Sequence, residues 1–266
     1  MVLLLFAAMV VAAPLLSPAD PKTQHLGEGL LGPSRLHPFG QDRLGRDILS
    51  RLLYGGRVSL MVSLISVGIS LVLGTAAGSI SAYVGGWTDE LLMRIVDVFM
   101  AFPGILLAIA LAALLGPSLQ NVIVALCAMG WVAYARISRG QILILREMQY
   151  VQAAECMGAG FGRILFHHLL PNARAPLIVE GTVGMAGAIL AEAALSFLGL
   201  GVQAPTPSWG SMLSEGRSYL LIAPHLTLFP GMVLALVALS WNFLGDGLRD
   251  LLDVREGTIR SDPFSS

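Results

Sequence analysis

Long uncharged apolar runs alternate with short polar segments along this chain, at a spacing that predicts membrane-crossing helices. A membrane helix needs about 20 predominantly apolar residues. Val58 to Trp87 carries no charged residue, which predicts a span over 58–83. Val98 to Ala135 is also uncharged, but Gly116-Pro117 divides it, so spans are expected over 91–114 and 118–135. Further runs predict spans over 175–199 and 226–245. The first run, residues 1–17, is slightly short and has no positive n-region, so it reads as a first transmembrane helix rather than a signal peptide. A start lying downstream of a missing cytoplasmic tail explains both features. The expectation is an all-α integral membrane protein with about six transmembrane helices.

Composition agrees. Hydrophobic residues make up 55% and charged residues 12%, against about 25% charge in a soluble domain, and the mean hydropathy is +0.75. A net charge of −1 argues against a nucleic-acid partner, which would need a basic face. Six spans put both termini and the 136–173 loop on one side. That side carries Arg94, Arg136, Arg139, Arg146, Arg163, Arg174, Arg249, Arg255 and Arg260. Arg217 is the one positive residue on the other side outside 18–57, so the positive-inside rule makes the 136–173 loop and the 256–266 tail cytoplasmic.

Residues 18–57 then form an extracytoplasmic segment. Residues 18–40 are polar and rich in Pro and Gly, an extended excursion. Residues 42–54 predict an amphipathic helix lying in the membrane interface. Leu44, Ile48, Leu49, Leu52 and Leu53 would line one face, with Asp47 and Arg51 paired at i, i+4.

The polar segment joining the fourth and fifth spans stands apart. Tyr150, Val151, Ala154, Met157 and Gly158 share a helical stripe, and beyond the Gly158–Gly160 hinge Phe161, Ile164, Leu165, His168 and Leu169 repeat it. Two short amphipathic helices outside lipid need an apolar surface to lie on, and a partner protein supplies one.

This pattern, Gln149-Tyr150-Val151-Gln152-Ala153-Ala154-Glu155-Cys156-Met157-Gly158-Ala159-Gly160 through His168 to Leu170-Pro171-Asn172, resembles the EAA loop of ABC importer permeases. Three other stretches share the likeness, to the C-type permease subunit of peptide and nickel importers. They are Leu44-Gly45-Arg46-Asp47-Ile48-Leu49-Ser50-Arg51-Leu52, Leu195-Ser196-Phe197-Leu198-Gly199-Leu200-Gly201, and Asn242-Phe243-Leu244-Gly245-Asp246-Gly247-Leu248-Arg249-Asp250. The resemblance implies a type I ABC importer (MetI-like) permease core over 58–255, in the cell inner membrane. It implies a homologous second permease subunit, two ATPase subunits and an extracytoplasmic substrate-binding protein as partners. Di- or oligopeptides are the implied cargo, with nickel chelates, glutathione and sugars as alternatives. Tyr150, Val151, Ala153, Ala154, Met157, Gly158, Phe161, Ile164, Leu165, His168, Pro171 and Asn172 would form the ATPase-coupling loop, with Gly158 at the turn. Gln152 stands at the family's usual Glu, and Glu155 stands where a basic residue is common, so no specific salt bridge to the ATPase is assigned. Pro171 is expected to stop the loop helix and Asn172 to cap the next one.

The remaining chemistry is sparse. A P-loop needs lysine in G-x-x-x-x-G-K-S/T; Lys22, the one lysine, follows Pro21 in no such motif, so ATP hydrolysis falls to another subunit. Gly158-Ala159-Gly160-Phe161-Gly162 has the wrong spacing for a dinucleotide fingerprint. His167-His168 point about 100° apart on a helix and have no HExxH context, so no metal site, cofactor or catalytic residue is assigned. A stand-alone intramembrane enzyme would need G-x-S-x-G or a paired His/Asp set, and a lone secondary transporter would need broken helices in corresponding halves. Neither pattern is found. Charges at membrane depth are candidate functional groups. Asp97 has Arg94 one turn earlier and reads as a local pair. Glu192, inside the fifth span, is either a structural hydrogen-bonding group or part of the translocation path, whereas Glu180 lies nearer the interface. Gly74 and Gly78, and Gly181, Gly184 and Gly187, allow close helix approach, within the bundle or against a sister subunit.

Overall fold

The computed structural model describes residues 2–259, and the side chains of residues 3–252. The side chain of Arg255, and Arg260 with the rest of the 260–266 part of the expected tail, therefore lie outside what is described. Helices follow in the order α1 (Val2–Val11), α2 (Ala13–Leu16), α3 (Ile48–Val84), α4 (Gly86–Met100), α5 (Gly104–Leu115), α6 (Leu119–Arg146), α7 (Gln149–Cys156), α8 (Phe161–Arg163), α9 (Leu170–Phe197), α10 (Trp209–Gly216) and α11 (His225–Ile259). The six residues Ile164–Leu169 between α8 and α9 are π-helical.

Among the described residues, four helical runs are long and apolar enough to cross a membrane: Ile48–Val84, Leu119–Arg146, Phe161–Phe197 and His225–Leu252. A fifth is possible if α4 and α5 count as one broken span. They meet at an angle of 86°, so the straight span expected over 91–114 is not what forms. Pro103 lacks the N–H that would continue α4 and disfavours a helical residue before it. The first run is helical too, but its 10-residue α1 rises only about 15 Å, half of a hydrocarbon core of about 30 Å.

The burial pattern of α3 is that of a membrane helix. Ser59, Ser63, Ser66 and Ser70 are buried, whereas Leu64, Val72 and Leu73 are exposed. Serines repeating on one helical face are hidden, and the aliphatic face is left to a solvent that must be apolar.

The chain divides into two compact units. The first comprises Met1–Ser66, Ile105–Ala128 and Met185–Trp241, the second Val67–Gly104, Met129–Gly184 and Asn242–Ser266. Ile48, Leu52, Ile189, Trp209, Met212, Leu226 and Val237 form the core of the first. Trp209 is fully buried and donates its indole N–H to the Leu52 carbonyl at 3.1 Å. Ser208 sets the start of α10 through a reciprocal cap with Ser211.

In this unit the expected interfacial helix over 42–54 is replaced by a buried ionic cluster. Helix begins only at Ile48, with Asp47 capping it by accepting from the Ser50 N–H at 2.7 Å and bonding His37 Nδ1 at 2.9 Å. Asp47 does not pair with Arg51. Instead Asp42 accepts from Arg46 Nε at 2.6 Å and from Arg51 Nη1, and Glu215 of α10 binds Arg46 at 2.7 Å and Arg51 at 2.9 Å. Arg46 and Arg51 are both buried. Charges of opposite sign in equal number balance each other there, with Arg51 Nε left unpartnered, so the segment has no need of lipid headgroups.

In the second unit Gly74 and Gly78 let α3 approach α6. A Cβ on Gly74 would collide with the Trp131 carbonyl, and one on Gly78 with that of Ala135. Asp89 and Arg139 add a two-point ion pair, with both guanidinium–carboxylate distances 2.6 Å.

Candidate functional site

The segment from Gln149 to Ala173 folds back onto the second unit. Val151 and Ala154 of α7 meet Ile164, Leu165, Leu169 and Ala173, together with Ile142 of α6 and Ala82 of α3, in one closed apolar cluster. At 100° per residue, Val151 and Ala154 lie along one edge of the α7 stripe, while Tyr150, Ala153 and Met157 lie along the other. The structure buries the first edge only. Tyr150 remains 44% exposed, Met157 82%, Phe161 43% and Phe166 64%, and Ala153 is exposed as well. The stripe read as one partner-facing surface is therefore two surfaces, one anchoring the segment and one uncovered.

Gly158 forms the turn with φ +83°, the left-handed region that glycine enters without a Cβ penalty. A Cβ there would meet nothing, so conformation, not space, selects the residue.

Beyond the turn the expected boundary at Pro171 does not appear. Helix continues from Phe161 through the π-helical residues into α9, where Pro171 occupies the second position. In the wider register the Leu170 N–H bonds back to the Leu165 carbonyl, five residues earlier. Asn172 does not cap a new helix; its Nδ2 donates to the His168 carbonyl at 2.6 Å, inside the continuing one. The His168 ring is half-buried 6.4 Å from that of Tyr150. Burial pushes the Tyr150 phenol above its ordinary pKa.

Contacts at the end of α3 fix this base, and periodicity gives no sign of them. Arg146 Nη1 donates to the Tyr83 carbonyl at 3.2 Å, and its guanidinium lies 5.7 Å over the Tyr83 ring. That ring packs on Phe161 at 4.7 Å, and its hydroxyl reaches Glu155 at 3.5 Å.

The two single charges fall elsewhere. Asp97 accepts from Arg136 at 2.7 Å, both exposed, while Arg94 pairs with Glu90 at 3.0 Å. The expected Asp97–Arg94 pair is replaced by one between helices. Glu192 is fully buried in the first unit and accepts from Ser59 and from Ser196, each at 2.7 Å. Glu180 is partly exposed and lines a separate cavity of about 510 Å³ with Arg136 and Arg249.

A multi-helix protein with serines inside, leucines outside and an anchored segment with an uncovered apolar edge is a membrane permease in form. Residues 71–257 match the family of binding-protein-dependent transport system inner membrane components, and the chain belongs to that family. Over 248 residues it is 48% identical to the dipeptide transport system permease protein DppC of Alkalihalophilus pseudofirmus, covering 93% of this chain and 82% of that one. It is 47% identical over 222 residues to the glutathione transport system permease protein GsiD of Pectobacterium atrosepticum, covering 84% of this chain and 74% of that one. The fold is that of the inward-facing methionine ABC transporter MetNI, at a TM-score of 0.61 and 20% identity, over 77% of this chain and 97% of that chain. The chain is thus a multi-pass inner-membrane permease subunit of an ABC importer.

Proposed function

We propose that the chain forms half of a peptide-conducting pore and is driven through residues 149–172 by a cytoplasmic ATPase. The observation that carries this reading is the uncovered edge of Tyr150, Met157, Phe161 and Phe166 on a closed apolar base. A side chain as exposed as Met157 outside lipid gains about 1.5–3 kcal/mol when a partner buries it. Because α8 runs without a break into α9, displacement at Phe161 is carried along one helix into the span. ATP-dependent closure of the ATPases would favour one of two bundle states through this contact.

On this reading the 136–173 loop is cytoplasmic and residues 18–57 are extracytoplasmic, where a substrate-binding protein delivers cargo. A homologous permease subunit supplies the other half of the pore, and the open space at Gly187, where a Cβ would meet nothing, is available to it. Two ATPase subunits hydrolyse ATP, since the one lysine of this chain lies outside any P-loop. Glu192 is structural, tying α3 to α9 through Ser59. The cargo is a di- or oligopeptide. The names of the dipeptide and glutathione permeases support that class, because glutathione is itself a short peptide.

The test is ATP-dependent uptake of labelled dipeptide in vesicles holding the whole importer. Met157→Asp should abolish uptake while leaving membrane insertion and thermal stability unchanged, because the side chain touches little of its own chain. Undiminished uptake with that variant ends the coupling reading. Uptake that persists without any ATPase ends the importer-subunit assignment of partners.

A further inference from the structure

The first unit holds a cavity of about 630 Å³ whose rim carries Lys22, Tyr54, Arg57 and Thr206. Its depth in the bilayer follows from the sequence. Arg57 is the last charged residue before the uncharged run Val58–Trp87, so the cavity opens where α3 enters hydrocarbon. Arginine, lysine and tyrosine together mark the headgroup level of a membrane.

Arg57 is held in place by a defect in the first helical run. Pro14 has no N–H to give the Val10 carbonyl, and the Leu15 N–H bonds Ala12 instead of Val11. Arg57 makes up both losses, donating from Nε to the Val10 carbonyl at 2.8 Å and from Nη2 to that of Val11 at 2.6 Å. Its Nη1 is left over. The guanidinium also lies 5.3 Å over the Tyr54 ring. Among the described residues, neither Arg57 nor Lys22 has a carboxylate within ion-pair distance. The nearby Asp20 accepts from the Lys22 backbone N–H at 2.8 Å. Two cations against one carboxylate leave room for one negative charge. Between Pro14 and Ser17 of the cavity wall, Leu15 is 88% exposed and Leu16 49%, an apolar track beside a cationic rim.

We propose that this cavity binds the headgroup of a membrane phospholipid, with the phosphodiester between the Lys22 ammonium and the Arg57 guanidinium and the acyl chains along Leu15 and Leu16. The bound lipid joins the α1–α2 run to α3 and to the Thr206–Pro207 turn. A free phosphate shares the phosphodiester's charge but not its tails, and the leucine track selects between them.

The experiment is native mass spectrometry of the full chain, purified in mild detergent and titrated with phosphatidylglycerol. One lipid should be retained, and Lys22→Gln should weaken its retention about fivefold, the loss of one basic contact near the surface. The thermal midpoint of lipid-free protein should be unchanged, since Lys22 is exposed. Leu15→Asn should also reduce retention, with the cationic rim intact. Inorganic phosphate or glycerophosphoglycerol at the same concentration should not displace the lipid. Equal retention by wild type and Lys22→Gln overturns the site. Displacement by either soluble anion, or full retention by Leu15→Asn, makes it a soluble-anion site and overturns the lipid assignment.

Discussion

Residues 149–173 bury apolar side chains and leave others uncovered, whereas residues 40–53 bury charges and leave only Arg43 exposed. The first region is incomplete within the chain: its base is closed by Ile142 and Ala82, but nothing closes Met157 or Phe166. The second is complete in charge, because Arg46 and Arg51 find Asp42 and Glu215 within the chain, although Arg51 Nε is left without a hydrogen-bond partner. An incomplete surface on a rigid base is suited to a partner that comes and goes. A complete one suits permanent attachment of α10 to the start of α3. If this contrast is right, substitutions in the second region cost stability, and those on the uncovered edge of the first cost only transport.

The largest effect is expected at Arg51. Removing it leaves Asp42, itself 5% exposed, short of one counter-charge. Loss of one partner from a buried pair costs about 3–5 kcal/mol. Arg51→Ala should lower the thermal midpoint of the purified permease and the amount inserted in the membrane. A variant as stable as wild type would show that water enters the cluster and that the two regions differ less than their burial suggests.

Ile164 sharpens the comparison from the other side. It is buried in the base under the uncovered edge, and truncating such a residue to alanine costs about 2–5 kcal/mol. Ile164→Ala should loosen residues 149–169 in hydrogen exchange and reduce uptake, while protection of α10 stays as in wild type. Equal loss of protection at α10 would mean that the two regions unfold together.

The spans in α3, α6, α9 and α11 were legible because absence of charge over about 20 residues is a local signal, whereas the one expected over 91–114 was not, because the same signal does not register a break at Pro103. The uncovered edge was half legible: a stripe tells which residues are apolar, not which of them the chain itself will cover. Val151 and Met157 read alike until Ile142 is brought beside one of them. The ionic cluster was hidden by distance in sequence, since Glu215 lies 164 residues from Arg51. With Glu215 out of view, Asp47 and Arg51 at i, i+4 looked like a pair. Pro171 misled for a different reason. Proline forbids one hydrogen bond, and a π-helical turn just before it widens the register, so the helix runs on.

Gly158 gives the smallest effect and the most specific one. Its φ of +83° costs a residue with a Cβ about 1–2 kcal/mol, and the open space around it adds no collision. Gly158→Ala should therefore leave the stability of α10 and the ionic cluster unchanged and shift only the angle between α7 and α8. Asparagine enters the left-handed region more readily than alanine, so Gly158→Asn should recover part of the uptake that alanine loses. Uptake in the order glycine, asparagine, alanine, at constant thermal midpoint, ties transport to the turn itself. Were alanine and asparagine equally impaired, side-chain bulk against a partner would be the cause, and the uncovered edge would extend across the turn. Were both as active as wild type, the angle between the two halves would carry no function, and the contrast between the two regions would be one of packing alone.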